Sequence, residues 1–81
     1  AKVLVLLGAD DPLIPVEMRN QFEAEMRSGK VDWRMYLYGG ILHSFTNPGA
    51  GKMGRPDAAA YDAASDARSW KEMLAFFEEI F

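Results

Sequence analysis

The unbroken apolar run Val3-Leu4-Val5-Leu6-Leu7, closed by Gly8, constrains this chain more than any other stretch. It lacks the polar–apolar alternation of a strand with one wet face. Such runs belong to strands covered on both faces, as in parallel sheets. A parallel strand needs a neighbour that returns by a crossover, usually a helix, and the next thirty or so residues supply one.

Gly8-Ala9-Asp10-Asp11-Pro12-Leu13-Ile14-Pro15 reads as a loop, because two prolines and adjacent aspartates disfavour both helix and ladder. Pro15 can open a helix as its first residue. Met18, Phe22 and Met26 then recur every four residues among charged ones, predicting a helix with one narrow buried stripe that Ser28-Gly29 ends. Val31, Trp33, Met35 and Leu37 alternate with Asp32, Arg34, Tyr36 and Tyr38, which predicts a second strand with one more apolar face, at a sheet edge. Strand, helix and strand make a βαβ unit with a right-handed crossover. Thr46 to about Pro56 holds Asn47-Pro48-Gly49, Gly51, Gly54 and Pro56 and reads as a long loop. A last helix is expected from about Ala58 to Ile80, with Ala64, Ala67, Trp70, Met73, Leu74, Phe77 and Ile80 as its apolar stripe. The fold class is α/β, in the order β-α-β-α, with two parallel strands and flanking helices.

At 81 residues the chain is one domain at most, near the size where a single core is barely sufficient. Trp33, Trp70, Phe76, Phe77 and Phe81 are expected in that core, with Met18, Met26, Met35 and Met73 filling gaps. A net charge of −3, from 9 basic and 12 acidic side chains, disfavours a nucleic-acid partner. No run is long enough for a membrane span, and Ala1 to Leu7 lacks the long core and cleavage site of a secretory signal. Cysteine is absent, so the chain holds no disulfide, thiolate nucleophile or thiolate metal site. A cytoplasmic location fits. No acidic or histidine cluster has metal-ligand spacing and no glycine-rich loop is placed to cradle phosphate, so neither metal nor cofactor is expected.

Both strands of a parallel unit end at the same rim, where open α/β sheets place their sites. The loop after the first strand carries Asp10 and Asp11. The loop after the second, Tyr38-Gly39-Gly40-Ile41-Leu42-His43-Ser44-Phe45, carries the only histidine. With neighbouring strands about 4.8 Å apart, a carboxylate of the first loop can reach His43. A carboxylate bound to one imidazole nitrogen fixes the tautomer and frees the other nitrogen to act as a base. Asp11 is the better candidate, because Pro12 biases its backbone toward an extended form, whereas Asp10 suits a turn or solvent. Turn formation by both aspartates and a packing role for the histidine are the alternatives, and spacing alone leaves them open.

The run from Gly8 to Pro15, followed by a helix, a strand and the His43 loop, resembles the C-terminal part of the dienelactone hydrolase family, which are α/β-hydrolases. Ala60-Tyr61-Asp62-Ala63-Ala64 and Arg68-Ser69-Trp70 resemble that family's last helix, so the likeness covers essentially the whole chain. It implies that Asp11 and His43 are the acid and the histidine of a catalytic triad, and that a small ester or lactone is the substrate. In α/β-hydrolases the nucleophile sits on a sharp turn that precedes the acid. Only ten residues precede Asp11, none of them serine or cysteine, and Ser28, Ser44, Ser65 and Ser69 all lie outside such a turn. The expectation is therefore a partial domain, residues 1–81, from a larger carboxylic ester or lactone hydrolase, inactive alone, with no nucleophile in this chain.

Phe45 and Tyr38 flank His43 and are candidates to wall the site, Phe45 as a substrate contact. Met53 is a further candidate to face substrate. Lys52 and Arg55 could steer an anionic substrate, although solvated loop charges are the plainer account. A contrasting reading is a non-catalytic module that pairs with its own copies through the open edge of the first strand.

Overall fold

The computed structural model describes residues 1–52 and 54–81. Its elements are β1 (Lys2–Gly8), α1 (Val16–Ser28), β2 (Asp32–Tyr38) and α2 (Ala63–Ile80), with one turn of 3₁₀ helix at Ala50–Lys52. The two strands form a parallel pair in which Lys2 faces Asp32 and Gly8 faces Tyr38. Both therefore deliver their carboxyl ends to one rim. The run of apolar residues in β1 is half-buried along its length, and no further strand covers its outer edge among the described residues.

Pro15 stands just outside α1 in an extended conformation and is the residue that caps it, one position earlier than its expected place as the first helical residue. Its fixed φ still launches the first turn, whose amides at Met18 and Arg19 donate to the Pro15 carbonyl. At the other end Gly29 keeps right-handed angles, and the left-handed residue is Lys30. Of the expected stripe, Phe22 meets Trp33 edge to face at 5.9 Å, Met26 is half-buried and Met18 is exposed. No residue of α1 is fully buried.

The last helix begins at Ala63, five residues later than the alanine-rich sequence suggests. The backbone of residues 58–62 is engaged elsewhere. The His43 amide donates to the Ala58 carbonyl at 3.0 Å, the Ala60 amide to the His43 carbonyl at 3.2 Å, and the Asp62 amide to the Phe45 carbonyl at 3.0 Å. Those bonds form a short parallel bridge, His43 with Ala59, that a helix would have consumed. The Asp62 side chain then caps α2 by accepting from the Ser65 amide at 2.9 Å.

The buried side of α2 also differs from the expected stripe. Ser65, Ser69 and Phe76 are the buried residues, while Trp70, Leu74, Phe77 and Phe81 are exposed. Two small serines let the helix approach the rim closely, and the Ser69 hydroxyl is satisfied by the Asp66 carbonyl at 3.0 Å. Near its C-terminus, Arg34 of β2 bonds Glu79 at 2.7 Å and lies over the Phe76 ring at 5.1 Å. Among the described residues nothing covers the broader aromatic stripe. Accessible area and radius of gyration say the same. The molecule exposes 5488 Å², against about 4,900 Å² for a compact monomer of its mass, and its radius of gyration is 13.6 Å, against about 11.7 Å. Among the described residues no helix is long and apolar enough to cross a membrane.

Gly8 is the point where the two rim loops touch. A Cβ there would strike the Ile41 carbonyl oxygen and come within 2.6 Å of that of Leu42. Replacing Gly8 with alanine is expected to lower the unfolding free energy of the protein by about 1–3 kcal/mol, read by denaturant titration. Wild-type stability in that variant would contradict the close approach. A second expectation concerns Asp62, whose carboxyl is held below its ordinary value of 3.8, chiefly by the Ser65 hydroxyl and then by the Ser65 amide. Because the folded value is the lower one, the stabilisation is present above 3.8 and is lost as pH falls through the folded value. Thermal melts from about pH 6 to about pH 2 should show Asp62→Ala less stable than wild type at the upper end, with the gap closing in acid.

Candidate active site

Asp11 is placed by a turn that its own side chain helps to form. Its Oδ1 accepts the Leu13 amide at 2.8 Å, and its backbone is tied by Asp11 N–H to the Gly8 carbonyl and by Ile14 N–H to the Asp11 carbonyl, each at 3.2 Å. The carboxylate is almost completely enclosed, its side chain 2% exposed. A buried carboxylate needs hydrogen-bond partners for both oxygens. The second oxygen, Oδ2, lies 2.8 Å from His43 Nδ1.

His43 is held from the opposite side. Gly40, with φ of 73°, turns the chain after β2, and the Ala9 and Asp10 amides reach across to the carbonyls of Tyr38 and Ile41 at 2.9 and 3.0 Å. The amide and carbonyl of His43 are both engaged by residues 58–60. Its backbone is thus fixed on both flanks while its side chain remains 40% exposed. With Nδ1–H donating to Asp11, Nε2 carries the free lone pair, and no hydrogen bond among the described residues occupies it.

His43 opens onto a cleft of about 640 Å³. Leu6 and Leu7 of β1, Leu42 and Phe45 of the histidine loop, and Trp70 and Met73 of α2 give it a mainly apolar lining, with Asp66 as a further acidic group. Phe45 is 6% exposed and forms floor, packed on the Tyr38 ring at a centroid distance of 5.4 Å. The Tyr38 hydroxyl is buried with no hydrogen-bond partner among the described residues. Burial first, and the nearby Glu72 carboxylate second, push its pKa above the ordinary value of 10.0, so it stays a neutral phenol at physiological pH. Asp66 is bound by the Tyr61 hydroxyl at 2.8 Å. Among the described residues no group of side chains could hold a metal ion.

The structure thus brings together Asp11, His43 and Phe45 and leaves Asp10 exposed at the loop surface. Lys52 and Arg55 are exposed and outside the cleft lining, Arg55 lying 3.8 Å from Asp57. Met53 lies outside the described residues. Sequence reasoning missed the strap of residues 58–62 that braces the histidine. The signal for it was Asp62, an N-cap residue three positions before Ser65, which marks where the helix can begin.

Comparison with known proteins agrees with this architecture. A solved dienelactone hydrolase-like promiscuous phosphotriesterase, P91, from metagenomic libraries superposes with a TM-score of 0.93 and 48% identity, over 99% of this chain and 33% of that one. A second structure, m3DLH, gives a TM-score of 0.89 and 40% identity over the same shares of each chain. The uncharacterized protein K02A2.1 of Caenorhabditis elegans is 38% identical over 60 residues, which are 74% of this chain and 37% of that protein. The chain therefore spans about a third of the length of these relatives. The family model for dienelactone hydrolases matches residues 1–81, end to end, and the chain belongs to the dienelactone hydrolase family.

Proposed function

We propose that the full-length protein containing this chain is a hydrolase of carboxylic esters or lactones, and that these 81 residues are a partial domain supplying the acid and the histidine of its catalytic triad. The observation that carries the reading is the 2.8 Å contact between a buried Asp11 carboxylate and the Nδ1 of a His43 that lines a mainly apolar cleft. In this mechanism Asp11 fixes the tautomer and stabilises the imidazolium that forms. His43 Nε2 takes the proton of a serine or cysteine nucleophile contributed by polypeptide outside these residues. The nucleophile attacks the acyl carbon, and the protonated histidine returns its proton to the leaving alcohol. His43 next deprotonates a water that attacks the acyl-enzyme, releasing the acid and restoring the nucleophile. Phe45 forms the floor beneath the reacting group. The likeness to P91 adds phosphotriesters to the substrates worth assaying, since the same base can serve attack at phosphorus.

A second reading concerns the 81-residue chain alone. The outer edge of β1 has no strand partner among the described residues, and Trp70, Leu74, Phe77 and Phe81 are exposed. An unpaired edge beside apolar surface templates association, so the isolated chain is proposed to be a catalytically inactive homo-oligomer.

In the full-length protein, His43→Ala is expected to lower kcat on an aryl ester, a lactone and a phosphotriester by about a thousandfold or more, with Asp11→Asn following in the same direction. Circular dichroism and melting temperature should confirm folding of both variants. Near-wild-type turnover by His43→Ala on all three substrates would refute the assignment. For the isolated chain, size-exclusion chromatography with light scattering should report a dimer or larger, and a folded monomer at all concentrations would count against self-association.

A further inference from the structure

We propose that Ser44 is a positioning residue that acts through its backbone, its left-handed turn aiming His43 at Asp11. The inference rests on the catalytic reading of His43. Ser44 has a φ of 57° and sits in the chain immediately after the histidine. This region is unfavourable for residues with a Cβ and is a true outlier for β-branched ones. The surroundings show why it is held there.

The residues on either side of Ser44 are pinned to one strap at separate points. His43 is bonded through its amide to Ala58 and through its carbonyl to Ala60, while Phe45 accepts the Asp62 amide. His43 must present its side chain to the Asp11 carboxylate and the cleft. Two residues on, Phe45 must sink to 6% exposure against Tyr38. A regular extended strand would space these demands evenly. The left-handed residue between them turns the chain at once, and Asn47 N–H closes the turn by donating to the Ser44 carbonyl at 3.0 Å. A strained residue persists only where neighbours over-determine it, and such residues gather at functional sites. No hydrogen bond of the Ser44 hydroxyl accompanies this arrangement among the described residues. What the position requires is therefore a backbone conformation and not a hydroxyl.

The test compares substitutions that separate these properties in the full-length protein. Ser44→Gly and Ser44→Asn lose the hydroxyl but tolerate left-handed backbone. Ser44→Thr keeps the hydroxyl but is β-branched. Gly and Asn variants are expected to keep kcat within about threefold of wild type, while Thr lowers kcat about tenfold or more with KM changed less than about threefold. The downfield Nδ1 proton resonance of His43, produced by its bond to Asp11, should persist in Gly and Asn and weaken in Thr. If the Thr variant does not fold, Ser44→Leu, a bulky residue equally out of place in left-handed backbone, takes its place with the same expected direction. Loss of kcat in the Gly variant would give the role to the hydroxyl, and loss in the Asn variant would give it to bulk. A Thr or Leu variant with a lowered melting temperature but wild-type kcat and resonance would reduce the turn to a stability feature. Any of these three results overturns the proposal. Full turnover by His43→Ala would instead remove the catalytic reading, and the resonance would still decide whether Ser44 aims the ring.

Discussion

The close passage of one loop over another governs this structure. The carbonyls of Ile41 and Leu42 lie against the Cα of Gly8, where no side chain can stand, and the Ala9 and Asp10 amides bond across to Tyr38 and Ile41. Burying backbone polar groups at a strand end is tolerable only when they bond one another. Here they do so between consecutive crossover loops. The carboxylate of one loop and the imidazole of the other are then brought together by main-chain geometry, to which the Asp11 side chain adds its bond from the Leu13 amide. The 2.8 Å contact between them follows from that geometry.

A second layer of support comes from beyond the loops. Residues 58–62 run beside His43 to Phe45, and Asp62 joins both systems: its amide bonds the histidine loop and its carboxylate caps α2. The start of the last helix and the height of the histidine are thereby set together. The buried serines of α2 permit the close approach this demands. The cleft that results is shaped by β1, the histidine loop and α2 jointly, so it belongs to the fold and not to any one segment.

Much of this was legible in residue order. The apolar run of β1, the alternation of β2 and the intervening helix follow from simple periodicities, and the meeting of Asp11 with His43 follows from parallel topology. The strap was not legible, because Ala58 to Ala60 favour helix locally and only tertiary hydrogen bonds override that preference. The helix stripe was misread for a different reason. Trp70, Leu74 and Phe77 are periodic and apolar, as a buried face should be, yet nothing among the described residues covers them. Periodicity identifies a face that suits burial and is silent about whether the partner surface lies within the same 81 residues. The left-handed Ser44 likewise carries no compositional mark, since serine is at home in ordinary turns.

Residues 46–52 and 54–57 lie between the two partners of the His43–Ala59 bridge, which clasps their ends together, and Ala50 among them is fully buried. A hoop fastened at its base transmits little of what happens at its tip. The exposed residues at 51, 52 and 54–57 can change while the backbone bonds from residues 58 and 60 that hold His43 stay in place. That separation offers evolution, or an engineer, a place to vary what approaches the cleft without disturbing the Asp11–His43 contact beneath.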